Sequence, residues 1–378
     1  MIGRVAIFTR NEADYHLLFP LIREVQARDS LALQLLVGGE HLSKAYGRTV
    51  AMIQSDAIPI NRLLPVPLRD DMCLDAEQVG PATAVQIRRA IDELGPDILL
   101  LVGGDAGAEG ALSAAREKGV PIMLVHGVSG RPGDCRNHEL AREAALHFVP
   151  GRTERDFLQG CGVQPERIVE VGALESDLVH MPETAATARD RLEHELDLPQ
   201  GQSLILAAWQ PDPEGWQNCQ KALTAMLASF DQLPRCSIVF LGDRKDPEQL
   251  HIEVDAFIAR NTARARLLVS PGRRRALSLL RVADIVVGNS DLGCLEAAAC
   301  GTPSVQIARA SPVACSARAL AASADPDAIV SAIRAALAAG RKIPLLQQSE
   351  TLADGRAAVR IADRLEALLG ASPAFRFR

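Results

Sequence analysis

Short apolar strand, loop, amphipathic helix: this unit recurs along the chain, and it limits the fold more tightly than any other feature. Val5-Ala6-Ile7-Phe8 precedes a helical pattern over 15–27, and a strand over 31–37 precedes one over 40–55. Asp97-Ile98-Leu99-Leu100-Leu101-Val102 reads as a continuous apolar run. Such a run has no side to show to water, as expected of a strand buried on both faces. A helix over 106–118, a strand over 121–125, a helix over 137–145 and strands over 147–150 and 168–172 complete the first half. Strand alternating with helix predicts a doubly wound parallel sheet.

A polar passage over 180–200, with Pro and Gly at its end, interrupts this alternation. The pattern restarts with strands over 203–208, 237–241, 265–270, 285–287 and 304–307, separated by helices over 216–232, 247–260, 273–282 and 291–300. Helices near 326–339 and 351–370 end the chain. The expected organisation is an α/β domain over 1–180, a second over 181–350, and a closing segment over 351–378 whose helix packs back on the first domain. Halves of ~180 and ~190 residues are each ordinary domain sizes. Two such domains predict a cleft, and open parallel sheets bind ligands outside the carboxyl ends of their strands.

Composition excludes several classes. Aromatic residues are 3% of the 378, so Leu, Val, Ile and Ala must fill the cores. A net charge of −6 argues against a nucleic-acid partner, which asks for a basic face. The run Arg273-Arg274-Arg275 is too short to hold a duplex and reads as a solvated helix start. Eight cysteines show no CxxC or zinc spacing, so no metal is expected. No apolar run approaches the ~18–20 residues of a spanning helix. The expectation is a cytoplasmic protein without a membrane partner.

The sharpest functional signal is Val287-Gly288-Asn289-Ser290-Asp291-Leu292-Gly293-Cys294-Leu295-Glu296-Ala297. It reads as strand, glycine-rich turn and helix start. Free N–H groups and the helix dipole at such a start attract anions. Ser290 suits an N-cap or a hydroxyl donor to phosphate, Gly293 allows close approach, and Glu296 could reach a ribose diol. Spacing alone fits equally a capped helix with a small-residue packing face.

With Gly301-Thr302-Pro303, this stretch resembles the G-N-S-x-x-G-x-x-E-A…G-T-P pattern of the UDP-N-acetylglucosamine 2-epimerases. Other segments agree in order. Thr9-Arg10, Ala13-Asp14-Tyr15, Leu17-Leu18 and Pro20-Leu21 are similar to the family's opening motif, with two extra residues after the arginine. Gly104-Asp105, Val125-His126-Gly127, His138 and Arg142 before Leu146-His147-Phe148-Val149, and Val171-Gly172 look like later family motifs. The His-Gly turn leans towards the hydrolysing branch, which releases UDP and N-acetylmannosamine for sialic-acid-type sugars.

The resemblance implies a GT-B-like arrangement of two Rossmann-like domains facing across a cleft. It implies a UDP-sugar substrate with phosphates at Gly288, Asn289 and Ser290, beside Gly293, and ribose at Glu296. Arg10 would meet the diphosphate from the other domain, and no cofactor is required. The chemistry implied is anti elimination of UDP across C1–C2, then addition of water with inversion at C2. A homodimer is implied by the resemblance alone.

This chain departs from the family at the sugar end. The arginine of G-D-R is absent after Asp105, and Glu109 is displaced by one residue. The carboxylate of H-G-G-E is replaced by Ser129, and the histidine of H-P by Gln210. Glutamine donates hydrogen bonds but is no acid at neutral pH. Asp105, Asp134 and His138 are the expected acid–base groups, with Glu109 and His126 behind them and Gln210, Ser129 and Arg142 towards the sugar. Three functions remain open: a hydrolysing epimerase, a GT-B glycosyltransferase, or a UDP-sugar binder without turnover.

Overall fold

The structure is a computed structural model, and it describes residues 2–44, 46–65, 76–103, 105–126, 138–181, 189–209, 216–242, 248–269, 271–290, 296–297, 300–307, 319–341 and 354–370. The chain forms two compact units. One comprises Met1–Asp177 with Thr351–Arg378, the other Leu178–Glu350.

The first unit is built on seven parallel strands: β1 (Gly3–Thr9), β2 (Leu31–Gly38), β3 (Arg62–Leu64), β4 (Ile98–Val102), β5 (Ile122–Val125), β6 (Leu146–Val149) and β7 (Ile168–Glu170). Their order is β3-β2-β1-β4-β5-β6-β7, so the order reverses between β1 and β4. Val5, Ala6, Ile7 and Leu99 to Leu101 are wholly buried, which is why these strands carry no alternation. One face of the sheet, through Ala6, Phe8, Leu99 and Leu101, packs under Ala-rich helices.

Those helices are Ala76–Leu94 and Ala106–Lys118. They touch backbone to backbone: a Cβ added at Gly110 would lie 2.1 Å from the Gly80 carbonyl oxygen. The closing helix, Ala357–Gly370, belongs to this unit. The Asp177 carboxylate accepts from the amides of Ala357 at 3.0 Å and Ala358 at 2.6 Å, satisfying two of the helix's opening donors. Arg28 holds the far end through Glu366 at 2.6 Å and Asp363 at 2.8 Å.

The second unit has six parallel strands: β8 (Ser203–Ala208), β9 (Cys236–Gly242), β10 (Ala265–Val269), β11 (Ile285–Gly288), β12 (Ser304–Ile307) and β13 (Ala319–Ala322). The order β10-β9-β8-β11-β12-β13 reverses between β8 and β11. A Cβ on Gly288 would fall 1.8 Å from the Ala208 carbonyl oxygen. The glycine is thus required by the approach of the two central strands.

Several elements differ from the sequence expectation. The helix expected over 40–55 is a 3-10 turn at Gly39–Leu42 and a short helix at Val50–Ser55. Gly39, which opens the 3-10 turn, and Gly47 and Arg48, between the two elements, take positive φ, which a continuous α-helix does not accommodate. The polar passage contains a helix, Arg189–Glu195. The helix Ala76–Leu94 and the strands β3 and β13 have no counterpart in the sequence reading: Gly80 and Pro81 mimic a breaker, and the strands are too short for periodicity.

Gly110→Ala should push the two helices apart and cost ~1–3 kcal/mol. Gly160→Ala, where nothing lies within 4 Å of the new methyl, should be neutral or slightly stabilising. Urea denaturation of both variants checks the pair; equal midpoints would contradict this packing.

Candidate functional site

Each reversal of strand order places two loops at neighbouring carboxyl ends, and most of the candidate residues lie there. In the first unit these loops follow β1 and β4. Arg10, just past β1, is 6% exposed. Its Nε donates to Asp14 at 2.8 Å, its Nη2 to the Val102 carbonyl at 2.8 Å, and its Nη1 to the Asp105 carboxylate. Each guanidinium nitrogen therefore has a fixed partner within the unit. Burial raises the Asp14 pKa and Arg10 lowers it again, with a net upward shift. Gly107 makes room for this arrangement, since a Cβ there would lie 3.2 Å from both Arg10 Cδ and Asp105 Oδ1.

Asp105 has two tasks. It caps the helix Ala106–Lys118 by accepting from the Ala108 amide at 2.9 Å, and it pairs with Arg10. Its side chain is still 53% exposed, so it can meet a ligand. Glu109, in the first turn of that helix, is exposed.

His41 escaped the sequence reading because nothing near it resembles a motif. It is wholly buried, with Nε2 2.9 Å from Thr9 Oγ1 and Nδ1 2.8 Å from Thr49 Oγ1. Burial lowers its pKa to about 4, so the ring is neutral and fixes the end of β1.

His126 lies one residue past β5. Its backbone is in the left-handed region at φ +49, pinned by its amide donating to the Phe148 carbonyl at 3.1 Å. Nδ1 is 3.3 Å from Oε1 of Glu175, on the helix Leu174–His180. Nε2 is buried and lacks a hydrogen-bond partner. Burial opposes its charge, but Glu175, Glu154 and the Gly172 backbone outweigh burial and raise its pKa. Glu175 was also missed by sequence reasoning, because only the folded chain brings it to His126. Arg142 gives its Nε to the Cys161 carbonyl at 3.2 Å. The helix His138–Glu143 is described, but the His138 side chain, Asp134, Ser129, Gln210 and Gly293 lie outside the described residues.

In the second unit, β11 leads into Asn289 and Ser290. Gly288 is in register with Ala208 on one side and Gln306 on the other. Register neighbours in a parallel sheet share a face, so Gln306 stands beside a position that has no side chain. Gln306 is 4% exposed, and neither end of its amide has a partner. The Ser290 hydroxyl and the Trp209 indole N–H are likewise buried and unpaired. Unmet buried polar atoms cost ~1–3 kcal/mol each, so their gathering at one sheet end fits a site awaiting a polar ligand. Trp209 packs into the apolar core of this unit, and Glu296 is 6% exposed.

The basic run opens the helix Arg273–Val282, and Arg275 pairs with Glu195. Burial pushes the Cys300 thiol up to about 11, which makes it a poor nucleophile. Among the described residues, no group of three or more His, Cys, Asp or Glu is placed to hold a metal, and no helix is long and apolar enough to cross a membrane.

The comparisons with known proteins agree with one another. The family model described as UDP-N-acetylglucosamine 2-epimerase matches residues 23–366. A Campylobacter jejuni protein named GDP/UDP-N,N'-diacetylbacillosamine 2-epimerase (hydrolyzing) is 24% identical over 309 residues, 80% of each chain. A Legionella pneumophila protein named UDP-N,N'-diacetylbacillosamine 2-epimerase (hydrolyzing) is 24% identical over 306 residues, 79% of each chain. Among solved structures, a Neisseria meningitidis UDP-GlcNAc 2-epimerase bound to UDP-GlcNAc aligns with a TM-score of 0.73 at 14% identity, covering 96% of this chain and 99% of that one. A Methanocaldococcus jannaschii UDP-GlcNAc 2-epimerase gives 0.76 at 12% identity, covering 97% and 100%. These structures establish the shared two-domain GT-B-like fold.

Two expectations follow. Because the His41 pKa falls on folding, the unfolded chain binds the proton first as pH drops. The stability is whole above pH ~6.5 and declines towards pH 4, by up to ~3 kcal/mol. Denaturant titrations should show this slope flattened in His41→Gln; an unchanged slope would place the proton elsewhere. Replacing the unpaired amide in Gln306→Leu should leave the ligand-free protein as stable, or up to ~2 kcal/mol more stable. A marked loss in the same titration would mean the amide has a structural partner.

Proposed function

Because the chain belongs to the UDP-N-acetylglucosamine 2-epimerase family, we propose that it is a hydrolysing UDP-sugar 2-epimerase acting on a UDP-linked acetamido sugar. The observation that carries this reading is the match over residues 23–366, joined by two relatives of similar length that are both named as hydrolysing 2-epimerases. Their names also support a diacetamido sugar as the substrate class, with UDP-N-acetylglucosamine as the simpler case.

In this reading, the unit of residues 178–350 holds the nucleotide. The Gly288-Asn289-Ser290 turn takes the diphosphate, Gly293 permits its approach, and Glu296 takes the ribose diol. The unpaired Ser290 hydroxyl supports the assignment. The first unit supplies charge and acid–base groups. Arg10 is the family's expected diphosphate contact; here its guanidinium is buried against Asp14, Asp105 and the Val102 carbonyl, so meeting phosphate requires it to exchange one of those partners.

The reaction has two stages. A base removes the C2 proton, the C1–O bond to UDP breaks, and the electron pairs leave a C1=C2 glycal and free UDP. Water then adds at C1, and a proton enters C2 from the opposite face. Asp105 is the leading acid–base group, because it is half exposed at the strand-order reversal. Asp134 and His138 share that work, with Glu109 and His126 in reserve and Gln210, Ser129 and Arg142 towards the sugar. A cytoplasmic homodimer supplying sialic-acid-type sugars completes the proposal, and it rests on the family resemblance.

The test is one NMR tube in deuterated water, with UDP-N-acetylglucosamine and separately a UDP-diacetamido sugar. Free UDP should accumulate without any acceptor, and the released sugar should carry deuterium at C2. A requirement for an acceptor would instead identify a glycosyltransferase. Thermal stabilisation by UDP without turnover would identify a binder; at 100 times Kd that shift is ~2.7 kcal/mol. Asp105→Asn should lower turnover by ~10²–10⁴ while sparing UDP affinity measured by calorimetry.

A further inference from the structure

We infer that Glu175 is a positioning residue that holds His126 as a proton donor to the departing nucleotide. The inference rests on the epimerase reading and deepens it.

The geometry is specific. His126 follows β5, the strand beside β4, and β4 leads to Asp105, with Val102 and Val125 in register. The imidazole therefore lies along the same carboxyl edge of the sheet. A non-glycine residue at φ +49 is strained, and such strain persists where surrounding contacts enforce it. Here the enforcing contacts are the hydrogen bond from the His126 amide to the Phe148 carbonyl and the side-chain approach of Glu175.

The two ring nitrogens have different fates. Nδ1 faces Glu175 at 3.3 Å, so the carboxylate fixes the ring and holds a proton on Nδ1, and the second proton of the charged ring sits on Nε2. Nε2 is buried and has no partner. Two other buried histidines, His41 and His147, differ from His126 in charge; an unpaired ring nitrogen does not itself set His126 apart, since His147 Nδ1 is also buried without a partner. His41 has a threonine hydroxyl on each nitrogen and a pKa near 4, and His147 donates Nε2 to the Ala141 carbonyl at 2.7 Å with its pKa also lowered. Those rings are neutral struts. His126 is the reverse: the charged groups that face it, Glu175 on the helix Leu174–His180 and Glu154 on the helix Arg152–Gly160, are both acidic and favour its protonated form.

The step balances without any further reagent. As the base takes the C2 proton, the C1–O bond breaks and its electron pair stays on the UDP oxygen. That oxygen receives the Nε2 proton, the imidazole becomes neutral, and solvent restores its proton after UDP leaves. Glu175 does not touch the substrate; it holds the ring and keeps it charged.

The experiment compares wild type, Glu175→Gln and Glu175→Asp, each with imidazole-labelled histidine. Proton and nitrogen NMR titration should show the His126 pKa falling in Glu175→Gln and largely regained in Glu175→Asp. UDP release should lose its alkaline limb at a correspondingly lower pH in Glu175→Gln. Its kcat should fall by ~10²–10³ with KM little changed. A merely structural Glu175 would change stability without moving the limb. An active wild type whose Glu175→Gln variant keeps both the His126 pKa and the pH profile overturns the inference alone. A wild type that never releases UDP overturns the functional reading and the donor role with it, while the titration still decides whether Glu175 controls the charge on His126.

Discussion

Where the strand order of a parallel sheet turns back, the loops leaving the two central strands go to opposite faces. The notch between them is left for a ligand. This chain has two such notches, between β1 and β4 and between β8 and β11, and its unusual polar groups collect at them. Gly288 shows how tightly the second is built, since any side chain there would strike the Ala208 carbonyl. The same glycine that lets the central strands close leaves Gln306 beside an empty position. Fold and site are one constraint here, not two.

The first notch is organised by charge. A buried guanidinium demands partners, and Arg10 has a carboxylate on two sides and a carbonyl on the third. Removing one partner of such a group usually destabilises strongly, because the remaining charge stays buried. The cluster is therefore both a structural clamp and a store of directed charge. His126 and Glu175 form a second, smaller arrangement on the same sheet edge, with one ring nitrogen engaged and one open.

The parallel α/β architecture was legible because its signals are local. Continuous apolar runs such as residues 98–101 are buried on both faces. What was not legible depends on distance or on backbone conformation. His41 sits in a stretch that reads as helix until the positive φ of Gly39 and Gly47 is seen. Glu175 has no motif around it and gains its meaning only beside His126. Gly288 looked like a phosphate-loop glycine, yet its nearest neighbour is the backbone of β8. The family resemblance was legible because it rests on small residues and turn residues at fixed spacing, which are read directly from the chain.

In the proposed reading the carboxyl end of β11 holds the nucleotide. A crystal of this protein soaked with UDP should then show diphosphate density within hydrogen-bonding distance of the Ser290 hydroxyl and the amides that follow Gly288. Density elsewhere on the protein, with that turn left empty, would contradict that reading.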